Sequence, residues 1–261
     1  MELALKGKVA LVVASSQGLG KAIAEQFIKE GTNVMITSRN EEKLKKVKDE
    51  LNKIGPGKAA FVPCDITKGN EIKKLVAETV AIFGRLDILI NNAGGPPAGS
   101  FEDMSDQNWQ QAFELNLLSY IRMIREALPH LKQNGGHIIN IASSSIKEPI
   151  PNLILSNTFR TGIAGLSKSL SQELAKYNIL VNTIGPGRIA TDRITHLDEV
   201  AAQQQGKTQE EIEAERKSAI ALGRYGEPEE FAKVVVFLAS NANTYMTGSS
   251  FLVDGGMVKS I

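Results

Sequence analysis

The chain has 261 residues, 42% of them hydrophobic, 23% charged and 5% aromatic, with 30 Lys and Arg set against 29 Asp and Glu. At that length one α/β domain buries roughly 70 to 75% of the surface its unfolded chain exposes, which argues against disorder and against any need for covalent stapling. The balanced charge gives neither the basic field of a nucleic-acid binder nor a bias toward anionic membranes, and a lone Cys64 with scattered His130, His137 and His196 offers neither a disulfide nor a zinc-ligand cluster.

The first apolar run, 9–13, breaks into Ala14-Ser15-Ser16-Gln17-Gly18-Leu19-Gly20 and then into the helix-forming Lys21-Ala22-Ile23-Ala24-Glu25. Glycines at such a turn let the backbone approach a pyrophosphate, held by free N–H groups and the positive end of a helix dipole. A structural glycine turn in any βα unit would read the same way. Further β-rich runs lie at 33–37, 59–64, 86–90, 137–142, 180–184 and 250–253, mostly continuous rather than alternating, as strands buried on both faces are. Helical periodicity fills the gaps, as in Leu44, Val47, Leu51 and Ile54 or Ile72, Leu75, Val76, Thr79 and Phe83. Strand and helix in steady alternation predict a Rossmann-type, doubly wound parallel sheet of about seven strands in a single domain, 1–261. No run approaches the roughly 18 apolar residues of a membrane span, and a reducing, cytoplasmic setting is expected.

The second run ends in Thr37-Ser38-Arg39-Asn40, with no acidic residue to accept the ribose 2′-hydroxyl of NAD. A guanidinium fork beside a serine hydroxyl suits an extra phosphate, so NADP(H) is expected in preference to NAD(H); Arg39 merely capping a surface loop is the alternative. The charge-dense segment 41–53 reads as a solvated helix face. After the fourth run, Asn91-Asn92-Ala93-Gly94 leads into Gly95-Pro96-Pro97-Ala98-Gly99, either one wall of a substrate pocket or only a stiffened loop. The polar stretch within 188–226 is expected to be a lid insertion, or otherwise a charged surface helix.

Gly18-Leu19-Gly20, Asn91-Asn92-Ala93-Gly94, Pro186-Gly187 with Thr191, and Val253-Asp254-Gly255-Gly256 stand in order along the chain. Together they resemble the short-chain dehydrogenase/reductase family over essentially the whole length, most closely its 3-oxoacyl-ACP reductase group. The resemblance implies an oxidoreductase acting on a carbonyl or alcohol. It also implies dinucleotide contacts from Ser15, Ser16, Gly18, Leu19 and Gly20 in the first turn and from Ser38, Arg39 and Asp65 around the adenosine. Asn92, Ala93, Gly94, Arg160, Pro186, Gly187 and Thr191 would complete that site. Ala14 stands where the family's pattern has its first glycine, which implies weaker or slightly displaced cofactor binding. A homotetramer is implied as well, through helices where Trp109, Phe113, Ile163, Leu166 and Leu170 exceed what one sheet face requires.

Anchored on Gly165-Leu166-Ser167-Lys168-Ser169-Leu170, the positions of the family's catalytic Tyr and Lys fall on Ser156 and Arg160. The supporting positions are kept: Ser143 lies thirteen residues before Ser156, and Asn116 sits in Glu114-Leu115-Asn116-Leu117-Leu118. A phenol with a reference pKa of about 10 can be tuned into a working acid, whereas a serine hydroxyl is far less acidic and shorter. Arginine can bind ribose hydroxyls and supply positive charge but does not shuttle protons. None of Tyr120, Tyr177, Tyr225 and Tyr245 falls on that helix face by spacing. A substitute donor would be Ser143 with water or a lid residue such as His196, which otherwise is only a surface histidine. The expectation is an NADP(H)-dependent oxidoreductase with a divergent active site; the alternative is a catalytically silent nucleotide-binding protein. Non-redox chemistry of the halohydrin dehalogenase kind fits less, because those enzymes keep the Tyr and lose the cofactor glycines.

Overall fold

A computed structural model describes residues 2–260. Seven parallel strands form one sheet in the order β3-β2-β1-β4-β5-β6-β7. They are β1 (Val9–Val12), β2 (Asn33–Ile36), β3 (Ala59–Phe61), β4 (Ile88–Asn91), β5 (Gly136–Ile141), β6 (Ile179–Pro186) and β7 (Ser250–Val253). Successive side chains of β1 face opposite sides, so Ala10 and Val12 enter one core layer while Leu11 and Val13 enter the other. Both layers are apolar, which is why the strands read as unbroken hydrophobic runs.

Helices cover both faces. On the first, α1 (Gly18–Lys29) and α9 (Pro228–Leu238) bury Phe27, Ile28, Phe231 and Val235. On the second, α3 (Gly69–Phe83), α5 (Ser119–Asn134) and α6 (Ile154–Leu174) bury Ile72, Leu75, Met123, Leu131 and Leu174. The charged run becomes α2 (Glu41–Leu51), which turns only Leu44, Val47 and Leu51 inward. Asn40 caps it, Oδ1 accepting from the Lys43 N–H at 2.9 Å. The strand order reverses between β1 and β4, and the crevice at such a point opens at the carboxyl ends of the strands.

Two expectations need correction, on the run 59–64 and on Ile163. The run 59–64 pairs as a regular strand only over Ala59–Phe61, although the N–H groups of Val62 and Cys64 still donate to Ile36 and Ser38. The segment 188–226 holds two helices, α7 (Asp192–Gln205) and α8 (Gln209–Ser218), the latter closed by a Thr208–Glu211 capping box. Ile163 is not surplus surface: it is fully buried beside Ala93 and Tyr120, and Leu166 and Leu170 pack onto the sheet's second core layer. Trp109 and Phe113, from α4 (Asp106–Phe113), remain partly exposed and meet Phe159 edge-on and tilted.

Candidate active site

A cavity of about 1580 Å³ opens along the carboxyl ends of the central strands. Ser16, Gly18, Leu19, Ser38, Arg39 and Asp65 line one half; Asn92, Ala93, Gly94, Ser143, Ser156, Arg160, Pro186, Gly187 and Thr191 line the rest. Ser15, Gly20 and Asn116 lie behind its wall. The Ser15 hydroxyl donates to the Val12 carbonyl at 2.7 Å and accepts from the Thr37 N–H at 3.0 Å, tying the end of β1 to that of β2. Gly20 is a packing glycine, because a Cβ there would collide with the Ala14 carbonyl. Ala14 itself holds φ +52, a left-handed conformation that a methyl-bearing residue adopts at a cost of about 1 kcal/mol.

Gln17 gives α1 no side-chain cap, so the first N–H groups of that helix are left for an anion. Gly94 has open space where a Cβ would stand. Arg39 is exposed at the cavity's lip, and no carboxylate pairs with it. Asp65 is partly buried, which opposes its charge, but the Thr67 N–H and hydroxyl at 3.0 and 2.8 Å, with Lys68 and Arg39 nearby, hold its carboxyl below the usual range. An uncapped helix end, open glycines and an unpaired guanidinium fit a phosphorylated dinucleotide.

At the other end, Ser156 stands in the first turn of α6 and Ser143 follows β5. The Ser143 oxygen accepts from the Ser145 N–H at 3.1 Å, which orients the hydroxyl and leaves its hydrogen free to donate. Arg160, one turn after Ser156, is buried. One nitrogen donates to the Ile141 carbonyl and the Tyr120 hydroxyl, and another to the Ala93 carbonyl, all at 2.9 Å, so three of its five N–H donors are engaged. Tyr120 comes from α5 and donates to the Ile141 carbonyl at 2.8 Å; burial raises its pKa, against the pull of Arg160. Asn116 lies in a π-helical turn, Glu114–Leu118, that joins α4 to α5. Its amide nitrogen donates to the Gly94 carbonyl at 2.7 Å, while its buried Oδ1 has no protein partner and is a natural seat for a bridging water.

The sequence reading missed Arg188, Arg193 and Arg216, which line the cavity from the 188–226 segment. Asp198 is buried beneath them, ion-paired with Arg216 and accepting from the Tyr225 hydroxyl at 2.8 Å. His196 is exposed on α7, 3.6 Å from Glu199, and lines no part of the cavity. Cys64 lines it, but burial and the nearby Glu71 and Asp65 push its thiol up to about 12, which leaves it without thiolate at neutral pH.

A family profile described as enoyl-(acyl carrier protein) reductase matches residues 13–258. A 3-oxoacyl-[acyl-carrier-protein] reductase of Aquifex aeolicus is 38% identical over 98% of this chain and 100% of its own. L-sorbose reductase from Gluconobacter frateurii, solved with NADPH and L-sorbose, superposes with a TM-score of 0.95 at 31% identity over 100% of both chains. An NADPH-dependent reductase involved in bacilysin biosynthesis superposes at 0.92 with 32% identity, over 97% of this chain and 99% of that one.

Proposed function

The chain belongs to the short-chain dehydrogenase/reductase family and is an oxidoreductase by kinship; from that premise we propose that it uses NADP(H) to interconvert a small carbonyl compound and its alcohol through a divergent active site. The observation that carries the reading is one continuous cavity running from the uncapped start of α1, past Ser38 and Arg39, to Ser143 and Ser156. NADP(H) in preference to NAD(H) is supported by the unpaired Arg39 beside the Ser38 hydroxyl.

The dinucleotide would be held by the α1 turn at Ser16, Gly18 and Leu19, by Arg39 and Asp65 on the adenosine side, and by Asn92, Gly94, Pro186, Gly187 and Thr191 around the middle. When bound, it supplies or accepts the hydride. Ser143 would donate a hydrogen bond to the substrate oxygen, and Ser156, which lines the same cavity, would order a water beside it. Arg160 acts on the site from behind. Its charge, fixed on the carbonyls of Ala93 and Ile141, favours electron density on a nearby oxygen without exchanging a proton. In reduction the proton would come from bulk solvent through water held by Ser143 and Ser156, and in oxidation it would return to solvent the same way, with the unpartnered Asn116 Oδ1 at the inner end of that path.

A second reading, a catalytically silent nucleotide-binding protein, is favoured by one observation: among the described residues no tyrosine lines the cavity and its one lysine is Lys43 at the start of α2, while the arginine in the lysine's place gives three donors to backbone carbonyls and a buried tyrosine. Titration with NADPH followed by turnover of ketones and β-ketoacyl thioesters separates the two. Turnover supports the oxidoreductase, and binding without turnover of any carbonyl supports the silent protein. The 188–226 segment is proposed as a lid over the cavity. A homotetramer is proposed as well, with the Trp109, Phe113 and Phe159 cluster at an interface, and a monomeric mass in solution scattering would overturn it. No helix among the described residues is long and apolar enough to cross a membrane, and a cytoplasmic location is proposed.

A further inference from the structure

The sequence contains nine arginines. Arg85, Arg122, Arg216 and Arg224 are ion-paired. Among the described residues the other five have no carboxylate oxygen within 4.0 Å, and four of them, Arg39, Arg160, Arg188 and Arg193, line the cavity. Two of the four already have work: Arg39 on the adenosine side and Arg160 on its neutral carbonyls. Arg188 and Arg193 flank the Ile189–Thr191 turn, and among the described residues neither guanidinium donates a hydrogen bond to a protein group, although the Arg188 backbone carbonyl accepts from the Gly226 N–H at 2.9 Å.

Arg193 is exposed at the cavity wall and Arg188 is half-buried. The Arg193 guanidinium lies against Gly95, close enough that a Cβ there would overlap it, so the glycine leaves the space the cation fills. Its charged neighbour is Arg160, which together with burial lowers the Arg193 pKa; burial likewise lowers that of Arg188, whose charge bears on Arg216. Of the carboxylates that line the cavity, Glu114 pairs with Arg122 at 2.7 Å and Asp65 accepts from Thr67; Asp198, buried behind the wall, is held by Arg216 and Tyr225. Asp192 is exposed and outside ion-pair distance of either arginine. Positive charges gathered along one cavity favour an anion from outside.

We propose that Arg193 and Arg188 bind an oxyanion group on the substrate and thereby select a negatively charged carbonyl or alcohol compound over a neutral ketone. The inference rests on the oxidoreductase reading and names its substrate class. A planar guanidinium fork matches carboxylate or phosphate oxygens in pairs, which gives orientation as well as attraction. The other source of the same chemistry is the diphosphate of the dinucleotide, and the test separates the two.

Malonate is titrated calorimetrically into the full chain with and without saturating NADPH, and initial rates are measured with acetoacetate and with its ethyl ester, which differ chiefly by the charge. Binding of malonate and a kcat/KM at least tenfold higher for acetoacetate are expected. Arg193→Gln and Arg188→Gln should each weaken malonate at least tenfold and erase most of the preference for the acid, with NADPH affinity held within about threefold. Arg193→Lys, which keeps the charge and loses the fork, should fall between. Failure of malonate to bind, equal binding in the Gln variants, or equal rates on acid and ester would overturn the proposal. Loss of NADPH affinity with malonate binding unchanged would assign the pair to the diphosphate and overturn it too. Arginine-dependent malonate binding with no turnover of either compound would sink the oxidoreductase reading and leave the anion site standing.

Discussion

The Arg160 guanidinium donates to the Tyr120 hydroxyl at 2.9 Å, and the two side chains share the Ile141 carbonyl as acceptor. One arginine thus joins α6 to α5, to the end of β5 and, through Ala93, to the loop after β4. Replacing it by methionine keeps much of the volume but strands two backbone carbonyls and a phenol. The expected loss of stability is about 3 kcal/mol, since bonds to charged donors contribute about 1.5 to 3 kcal/mol each and part is regained by water. Urea denaturation measures it, and a loss under about 1 kcal/mol would contradict the bonding described.

The same commitment shapes the rescue of activity. Ser156→Tyr alone introduces a phenol whose neighbouring cation is already occupied, so a small gain in kcat is expected. Ser156→Tyr with Arg160→Lys provides an ammonium free to lower the phenol's pKa. General acid catalysis contributes about a hundredfold to ten-thousandfold, so the double variant should exceed the single one by at least tenfold in ketone reduction. A double variant slower than the unmutated protein would mean that Ser143 and its water already serve as the donor.

For the cofactor, a charge-assisted phosphate contact is worth about 1.5 to 3 kcal/mol, or about tenfold to a hundredfold in affinity. NADPH should therefore bind that much more tightly than NADH, and Arg39→Asp should reverse the order. Fluorescence titration of both cofactors against both proteins decides it, and equal affinities in the unmutated protein would refute the role given to Arg39.

Relief of the left-handed backbone at position 14 is a separate test. Ala14→Gly removes the strain of about 1 kcal/mol at φ +52 but gives back about 0.4 to 1 kcal/mol as unfolded-chain entropy, leaving a net stabilisation of at most about 0.5 kcal/mol. In a chain of this size that is a rise of at most about 2 °C in Tm, readable by calorimetry. The missing methyl should also bring NADPH closer to the turn and tighten it. A lower Tm would show that Ala14 sits there without strain.

His137 predicts an acid limb of stability. It is buried in β5 with Nδ1 unpartnered, and burial, with Lys8 nearby, pushes its pKa down from 6.5 to about 4. Because the folded state resists protonation, the unfolded chain takes up a proton first as the pH drops. The contribution is complete above pH 6.5 and is lost as pH falls toward about 4, by roughly 3 kcal/mol at the end. Urea midpoints at pH 7.5 and 5 in the unmutated protein and in His137→Asn should show a steeper fall in the former.

Much of the frame was readable because it depends on local signals. The continuous runs Val9–Val12 and Ile88–Asn91 declared strands buried on both faces. The glycine turn after β1, the Asn91–Gly94 segment and Ser143, Ser156 and Arg160 were found as linear motifs, and the fold brings them to one cavity. What escaped notice depends on contacts distant in sequence. Tyr120 was set aside because it is not on the helix face of Ser156, yet it meets Arg160 from α5 across forty residues. Arg188 and Arg193 stood within a recognised motif, but only the absence of carboxylates around them in space sets them apart. The roles of Ser15 and Gly20 as ties and spacers likewise appear only when β2 and Ala14 lie beside them.

The π-helical turn at Glu114–Leu118 works as a phase shifter between two otherwise regular helices. A helix advances about 100° per residue, so the extra residue in that wide turn sets the angular position of everything after it on α5. With it, Asn116 points to Gly94 and Tyr120 to Arg160 at the same time. Without it, any α5 that kept Asn116 in place would swing Tyr120 roughly a quarter turn away from the arginine, and one that kept Tyr120 would withdraw the amide from the Gly94 carbonyl. The length of this turn, as much as the identity of either side chain, makes the contacts of Asn116 with Gly94 and of Tyr120 with Arg160 compatible.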